Sequence, residues 1–321
     1  MRREASAGAR SVVVALVGNL LVATTKAIAA YVTGSAAMAS ETVHSFVDTG
    51  NQLLLFYGIR RSRLRPDELH PIGYGRELYF WSFIVALMLF GAGACVSVIE
   101  GIRHVQHPEP IENPAVSYAV LALSLVFEGS SLTFAYRNFR ANIDHRGFWH
   151  ALRESRDPPQ TMVLMEDSAA ITGIGLAALG TLLATTFGLK YFDGIASIAI
   201  GIVLAAVSVG LARQTKDLLI GERADDKLRK TVFELARTTP GVVCPNNLIT
   251  VQLAPDQVTV LLSLEFDDAL RTPEIEKIVA ELEERIRKAR PDVFLMFVKP
   301  QTKEGFARAR ERFLNGPDAS T

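Results

Sequence analysis

Six apolar runs, each close to the length that crosses a bilayer, dictate what this chain can fold into. They fall at approximately 11–32, 38–57, 79–102, 115–136, 162–189 and 191–211. A helical span takes about 20 apolar residues. Inside a bilayer no water satisfies the backbone N–H and C=O groups, so only helices or closed barrels can cross it. Six membrane helices are therefore expected. The last two are joined by Lys190 and a few neighbours, which demands a tight hairpin.

Charge is distributed unevenly along the chain. Of its 68 Asp, Glu, Lys and Arg residues, 35 lie in residues 216–321. A membrane domain over 1–215 followed by a water-soluble domain over 216–321 is expected from that shift. The net charge is zero, which gives no reason to expect a nucleic-acid partner. Met1-Arg2-Arg3 before an apolar run has the outline of a signal peptide. Asn19 and Lys26 interrupt that run and no small-residue cleavage site ends a short core, so a retained first helix is expected. Cys95 and Cys244 have no CxxC spacing and are expected to be inert buried thiols.

Basic residues orient the spans. Arg2, Arg3 and Arg10 precede the first, Arg60, Arg61, Arg63, Arg65 and Arg76 follow the second, and Arg137, Arg140, Arg146, Arg153 and Arg156 follow the fourth. The opposite loops hold only Arg103 and Lys190. By the positive-inside rule both termini are cytoplasmic. The soluble domain would then be cytoplasmic too, and a bacterial cell membrane is the expected setting.

The second span carries Glu41, His44 and Asp48 on one helical face, continued by Asn51 and Gln52. Ionisable groups inside a membrane helix cost about 2.5–3.5 kcal/mol each and mark pathways or paired sites. His44 and Asp48, one turn apart, can share a divalent metal ion, or can form a buried hydrogen bond that only fastens helices. In the fifth span Glu166 and Asp167 point about 100° apart, so one is expected to face the bundle interior and the other the helix boundary. Drawn from residue 162, that helix places them only about one turn deep. Glu128 lies mid-span in the fourth run, before Gly129-Ser130-Ser131, whose small size suggests close helix contact. It could serve as a proton site, a partner of Lys26, or a structural acid. Lys26 lies toward the outer side and could snorkel. The segment His70-Pro-Ile-Gly-Tyr-Gly-Arg-Glu77 reads as a structural elbow at the membrane surface.

The soluble part has a legible order. A helix over 226–239 precedes strands over 248–253 and 258–266. A helix over 274–288 follows, with Thr272 as N-cap and Pro273 at its first position, and then a strand over 293–298. This α-β-β-α-β order suggests a ferredoxin-like α+β domain with a polar, helical and then frayed tail. It contains no histidine, so any metal there would rest on carboxylates such as Glu265, Asp267 and Asp268, or Glu281, Glu283 and Glu284.

Taken together, the motif over 34–52, His70-Pro-Ile-Gly-Tyr-Gly-Arg-Glu77, Glu166-Asp-Ser-Ala-Ala170 and Leu219-Ile-Gly-Glu-Arg-Ala-Asp225 resemble the cation diffusion facilitator family over nearly the whole chain. Glu128-Gly-Ser-Ser131 and the fifth-span motif resemble the branch that includes the mammalian member-nine zinc transporter more than the best-studied bacterial branch. The resemblance implies a secondary transporter, not an enzyme, exporting a divalent cation by proton antiport as a homodimer packed through its cytoplasmic domains. No prosthetic group is implied, only a transported metal ion.

It also implies a tetrahedral site from residue pairs four apart in the second and fifth spans: His44, Asp48, Val163 and Asp167. Valine cannot ligate, so water, Glu166 or Asn51 would complete the set. Zinc is the expected cargo, with manganese, iron, cobalt or nickel as alternatives. Two other classes compete. An intramembrane metal hydrolase would need an HExxH-type pattern, which is absent. A membrane-anchored sensor or scaffold would need ligands in the tail, which lacks histidine.

Overall fold

In the computed structural model, residues 20–315 are described except 109, 112, 141, 142 and 144–146. Arg2, Arg3, Arg10 and Arg146, the first part of the 11–32 run and the last residues of the tail lie outside that set. The chain forms two compact units, Met1–Lys216 and Asp217–Thr321.

The first unit is helical. It comprises α1 (Leu20–Thr33), α2 (Ala36–Ser62), α3 (Glu77–Gln106), α4 (Pro114–Arg140), the short α5 (Phe148–Glu154), α6 (Pro158–Thr186) and α7 (Tyr191–Ile220), whose last residues run past the boundary. Four of these, α3, α4, α6 and α7, are long and apolar enough to cross a membrane among the described residues. Helix α2 matches them in length, but its polar face lowers its apolar content, and α1 is described over only 14 residues.

Local chemistry sets the connections. Gly34, at φ +63°, turns α1 into α2. The Ser35 hydroxyl then caps α2 by accepting from the Met38 amide at 3.2 Å. Asp193, in the first turn of α7, binds that cap from outside: its carboxylate accepts from Ser35 Oγ at 2.7 Å and from the Ala36 amide at 2.5 Å. The α6–α7 hairpin turns at Gly188, φ +69°. Helix α3 is wound as a π-helix over Leu89–Cys95. It meets α7 so closely that a Cβ on Gly101 would lie 2.7 Å from the Gly194 carbonyl oxygen.

The 70–77 segment is an elbow. Asp67 accepts from the His70 amide at 2.7 Å and the Tyr74 hydroxyl at 2.6 Å, and Glu77 receives Arg61 at 3.0 Å and Trp81 at 2.8 Å. The cysteines depart from expectation. Both are free, but Cys95 is exposed on the outer surface of its helix and Cys244 is half-buried.

The second unit runs α8 (Asp226–Arg237), β1 (Val242–Ala254), β2 (Gln257–Phe266), α9 (Thr272–Ala289), β3 (Val293–Pro300) and α10 (Lys303–Asn315). Strand β2 is central, antiparallel to β1 and parallel to β3. Alternate β2 residues Val258, Val260, Leu262 and Leu264 bury against Leu228, Val232 and Ala236 of α8 and Leu282 and Ile286 of α9.

Thr272 is the first residue of α9 rather than its cap. Arg271 takes the cap position, and the Glu274 carboxylate reaches back to accept its amide at 2.7 Å, which makes a capping hydroxyl unnecessary. The acids at 281, 283 and 284 pair along the helix with Lys277, Arg287 and Lys288 and form a solvated face.

At the start of α8, Asp225 caps the helix through the Leu228 amide at 2.7 Å and receives Arg290 at 2.9 Å. Burial pushes its carboxyl up, but Arg290 and the amide bonds outweigh that and hold it below its usual value. A depressed carboxylate stabilises the fold fully at neutral pH and loses that contribution as pH falls below about 4. Asp225→Asn is therefore expected to accelerate amide hydrogen exchange across 226–237 several-fold at pH 7. The difference should close as the wild type is acidified.

Candidate metal centre

Glu41, His44 and Asp48 form a line along α2, with Glu41 and His44 fully buried and Asp48 largely so. His44 Nε2 stands 3.4 Å from Asp48 Oδ2. One turn further on, the Asn51 side-chain amide donates to Glu166 Oε1 of α6 at 2.9 Å, tying the two helices together.

Helix α6 begins at Pro158, capped by Asp157, which is earlier than the sequence suggested. Glu166 and Asp167 are consequently its ninth and tenth residues, more than two turns inside, at a depth suited to the α2 stripe. Both line one cavity of about 240 Å³, together with Asp48, Gln52, Glu128, Ser130, Ser131 and Val163. This corrects the expectation that the adjacent acids face different surroundings. Helix α6 packs between α2 and α4, so the 100° between the side chains spans the cavity from the Asn51 side to the Ser131 side.

The small residues of α4 are corrected too. A Cβ on Gly129 would meet nothing within 4 Å. Ser130 and Ser131 line the cavity, and Gly129 makes no close helix contact.

Lys26 differs from expectation most. It neither snorkels nor pairs with Glu128. It is fully buried, and its Nζ lies 3.1 Å from Glu41 Oε2. The signal was present in the sequence: Lys26 and Glu41 lie at similar distances on either side of the Gly34-Ser35 turn, so an α1–α2 hairpin brings them to one depth. Asp193 was likewise missed as the clamp on α2.

The donors are hard oxygens plus one borderline imidazole, a set that suits divalent transition metals. Several are under-satisfied although buried: His44 Nδ1, Asp48 Oδ1, Asn51 Oδ1 and Asp167 Oδ2 have no hydrogen-bond partner. Buried polar atoms are normally paired, so such a cluster is the mark of a site made for a polar or charged occupant. Among the described residues no three His, Cys, Asp or Glu side chains converge on one point. Asp48, Glu166 and Asp167 line the cavity, and His44 lies one turn along α2 from Asp48.

The chain matches the cation efflux transmembrane domain over residues 12–220. It is 35% identical over 263 residues to the Xenopus laevis protein named proton-coupled zinc antiporter SLC30A9, mitochondrial, covering 81% of this chain and 47% of that one. With metal tolerance protein C4 of Arabidopsis thaliana it shares 32% over 71% of this chain and 50% of the relative. The cation-efflux pump FieF of Serratia proteamaculans is 23% identical over 81% and 82%. The chain thus spans about half the length of the curated relatives that it matches at a third identity. A match across the whole helical unit, together with that level of identity, shows that the chain is an integral membrane protein and belongs to the cation efflux family, whose members are transporters rather than enzymes.

Proposed function

We propose that this protein exports a divalent transition metal from the cytoplasm in exchange for protons, with zinc as its cargo. The observation that carries this reading is the shared cavity. Asp48, Glu166 and Asp167 line it together, and His44 lies one turn along α2 from Asp48. His44, Asp48, Glu166 and Asp167 are the assigned ligands, with Glu166 taking the place that Val163 cannot fill.

Coupling to protons follows from the ligand chemistry. An imidazole must be neutral and a carboxylate ionised to hold a metal, so protons and the metal compete for the same atoms. Rocking of the helices would expose the site to each side in turn.

The arginine-rich loops support six spans with both termini in the cytoplasm, α1 and α2 being the two beyond the four clearly apolar helices. The α-β-β-α-β order supports a ferredoxin-like C-terminal domain, and we assign it the role of joining two copies into a homodimer. The mitochondrial and plant relatives give no support to the bacterial cell membrane expected above.

Similarity to a proton-coupled zinc antiporter favours zinc over manganese, iron, cobalt or nickel. It favours transport over a sensor or scaffold, and an anchor would have no use for a polar cavity among its helices. The test is zinc flux into proteoliposomes with an imposed pH gradient. Saturable flux that collapses when an ionophore dissipates the gradient is expected; flux indifferent to the gradient would exclude antiport.

A further inference from the structure

Among the buried groups that the proposed site leaves unused, the pair formed by Lys26 of α1 and Glu41 of α2 is the most consequential. Both side chains are fully buried, with 3.1 Å between Nζ and Oε2. Desolvation of two such ions offsets most of their attraction, so a buried pair adds little net stability over apolar side chains of similar volume. Fastening α1 to α2 is therefore not a sufficient role for it.

Its position suggests another. Glu41 precedes His44 by three residues on the same buried face of α2, which places the Lys26 charge about one helical turn from a proposed ligand. One oxygen of Glu41 is held by Lys26. The other, Oε1, is buried without a hydrogen-bond partner. It occupies the space left by the missing side chain of Gly173, where a Cβ would collide with it. Gly173 belongs to α6, two turns beyond Glu166.

Glu41 is thus a carboxylate one turn of α2 from the proposed ligand His44, with one oxygen that lacks a hydrogen-bond partner. We propose that Lys26 is a resident counter-ion of the site: its ammonium occupies Glu41 and opposes part of the local negative charge, so that the metal is bound weakly enough to leave. This deepens the reading above and rests on it. Asp48, Glu128, Glu166 and Asp167 already present four carboxylates to a dication. A fifth, freed from its partner, would turn an exchange site into a trap. Lys26 acts as a positioning residue and touches no metal.

The test is equilibrium zinc binding to the purified full chain, alongside zinc flux in proteoliposomes and a melting curve for each variant. Lys26→Met should tighten zinc binding by about tenfold or more while slowing turnover, as expected when a unit charge near a dication is removed. Glu41→Gln, which leaves the ammonium unopposed, should weaken binding by a similar factor. The charge-balanced Lys26→Met/Glu41→Gln protein should fold and bind within a few-fold of wild type.

A purely structural pair would lower melting temperatures and leave the affinities of the folded proteins unchanged, and that result overturns the proposal. If Lys26→Met does not fold, unchanged affinity in Glu41→Gln overturns it equally. Asp48→Ala is the separate control. Wild-type affinity in that variant would defeat the site assignment itself, whatever the Lys26 variants do.

Discussion

Asp48→Ala and Asp167→Ala are each expected to reduce gradient-driven zinc flux in proteoliposomes to background. Both side chains present carboxylates to the cavity, Asp48 from α2 and Asp167 from α6, and both are assigned ligands. Asn51 is engaged with Glu166, and Val163 has no donor atom. Loss of an anionic ligand removes both a metal bond and the charge that offsets desolvation of a dication, and altering even an outer-shell partner costs about 10–100-fold. Normal insertion and melting of both variants would separate this effect from misfolding.

Val163→His is expected to act in the opposite direction on affinity. Val163 lies one helical turn before Asp167 and lines the same cavity, so an imidazole there meets the geometry that His44 and Asp48 already use on α2. A second nitrogen ligand moves an oxygen-rich set toward the tetrahedral nitrogen and oxygen coordination that zinc prefers. Zinc should bind at least about tenfold more tightly, and selectivity over manganese should widen. Turnover should slow, for the reason that makes Lys26 useful: an exporter must also let go. Titration with zinc and with manganese in parallel reads both effects.

Much of this arrangement was legible in the residues. Polar side chains three and four apart within an apolar run can only stripe one face of a helix, which places Glu41, His44 and Asp48 together. The strand over 258–266 was likewise legible as the run that supplies Val258, Val260, Leu262 and Leu264 to the core.

What escaped were facts about how separate helices stand beside one another. The depth of Glu166 and Asp167 depended on where α6 starts, and Pro158 with its Asp157 cap starts it a full turn before the apolar run does. Small residues in Gly129-Ser130-Ser131 read equally well as a contact or a space, and only the neighbours of α4 decide that. The height of Lys26 in the membrane does not reveal its partner, which is set by the turn that folds α1 against α2.

The central claim is that one imidazole and carboxylates hold the transported ion. Zinc K-edge X-ray absorption on the zinc-loaded full chain tests it most directly. Scattering from a single imidazole, His44, is predicted, with the remaining ligands oxygen at about 2.0–2.2 Å and no sulfur. The imidazole signal should vanish in His44→Ala. A spectrum with sulfur, with two or more imidazoles in the wild type, or with an imidazole signal that survives His44→Ala would contradict it.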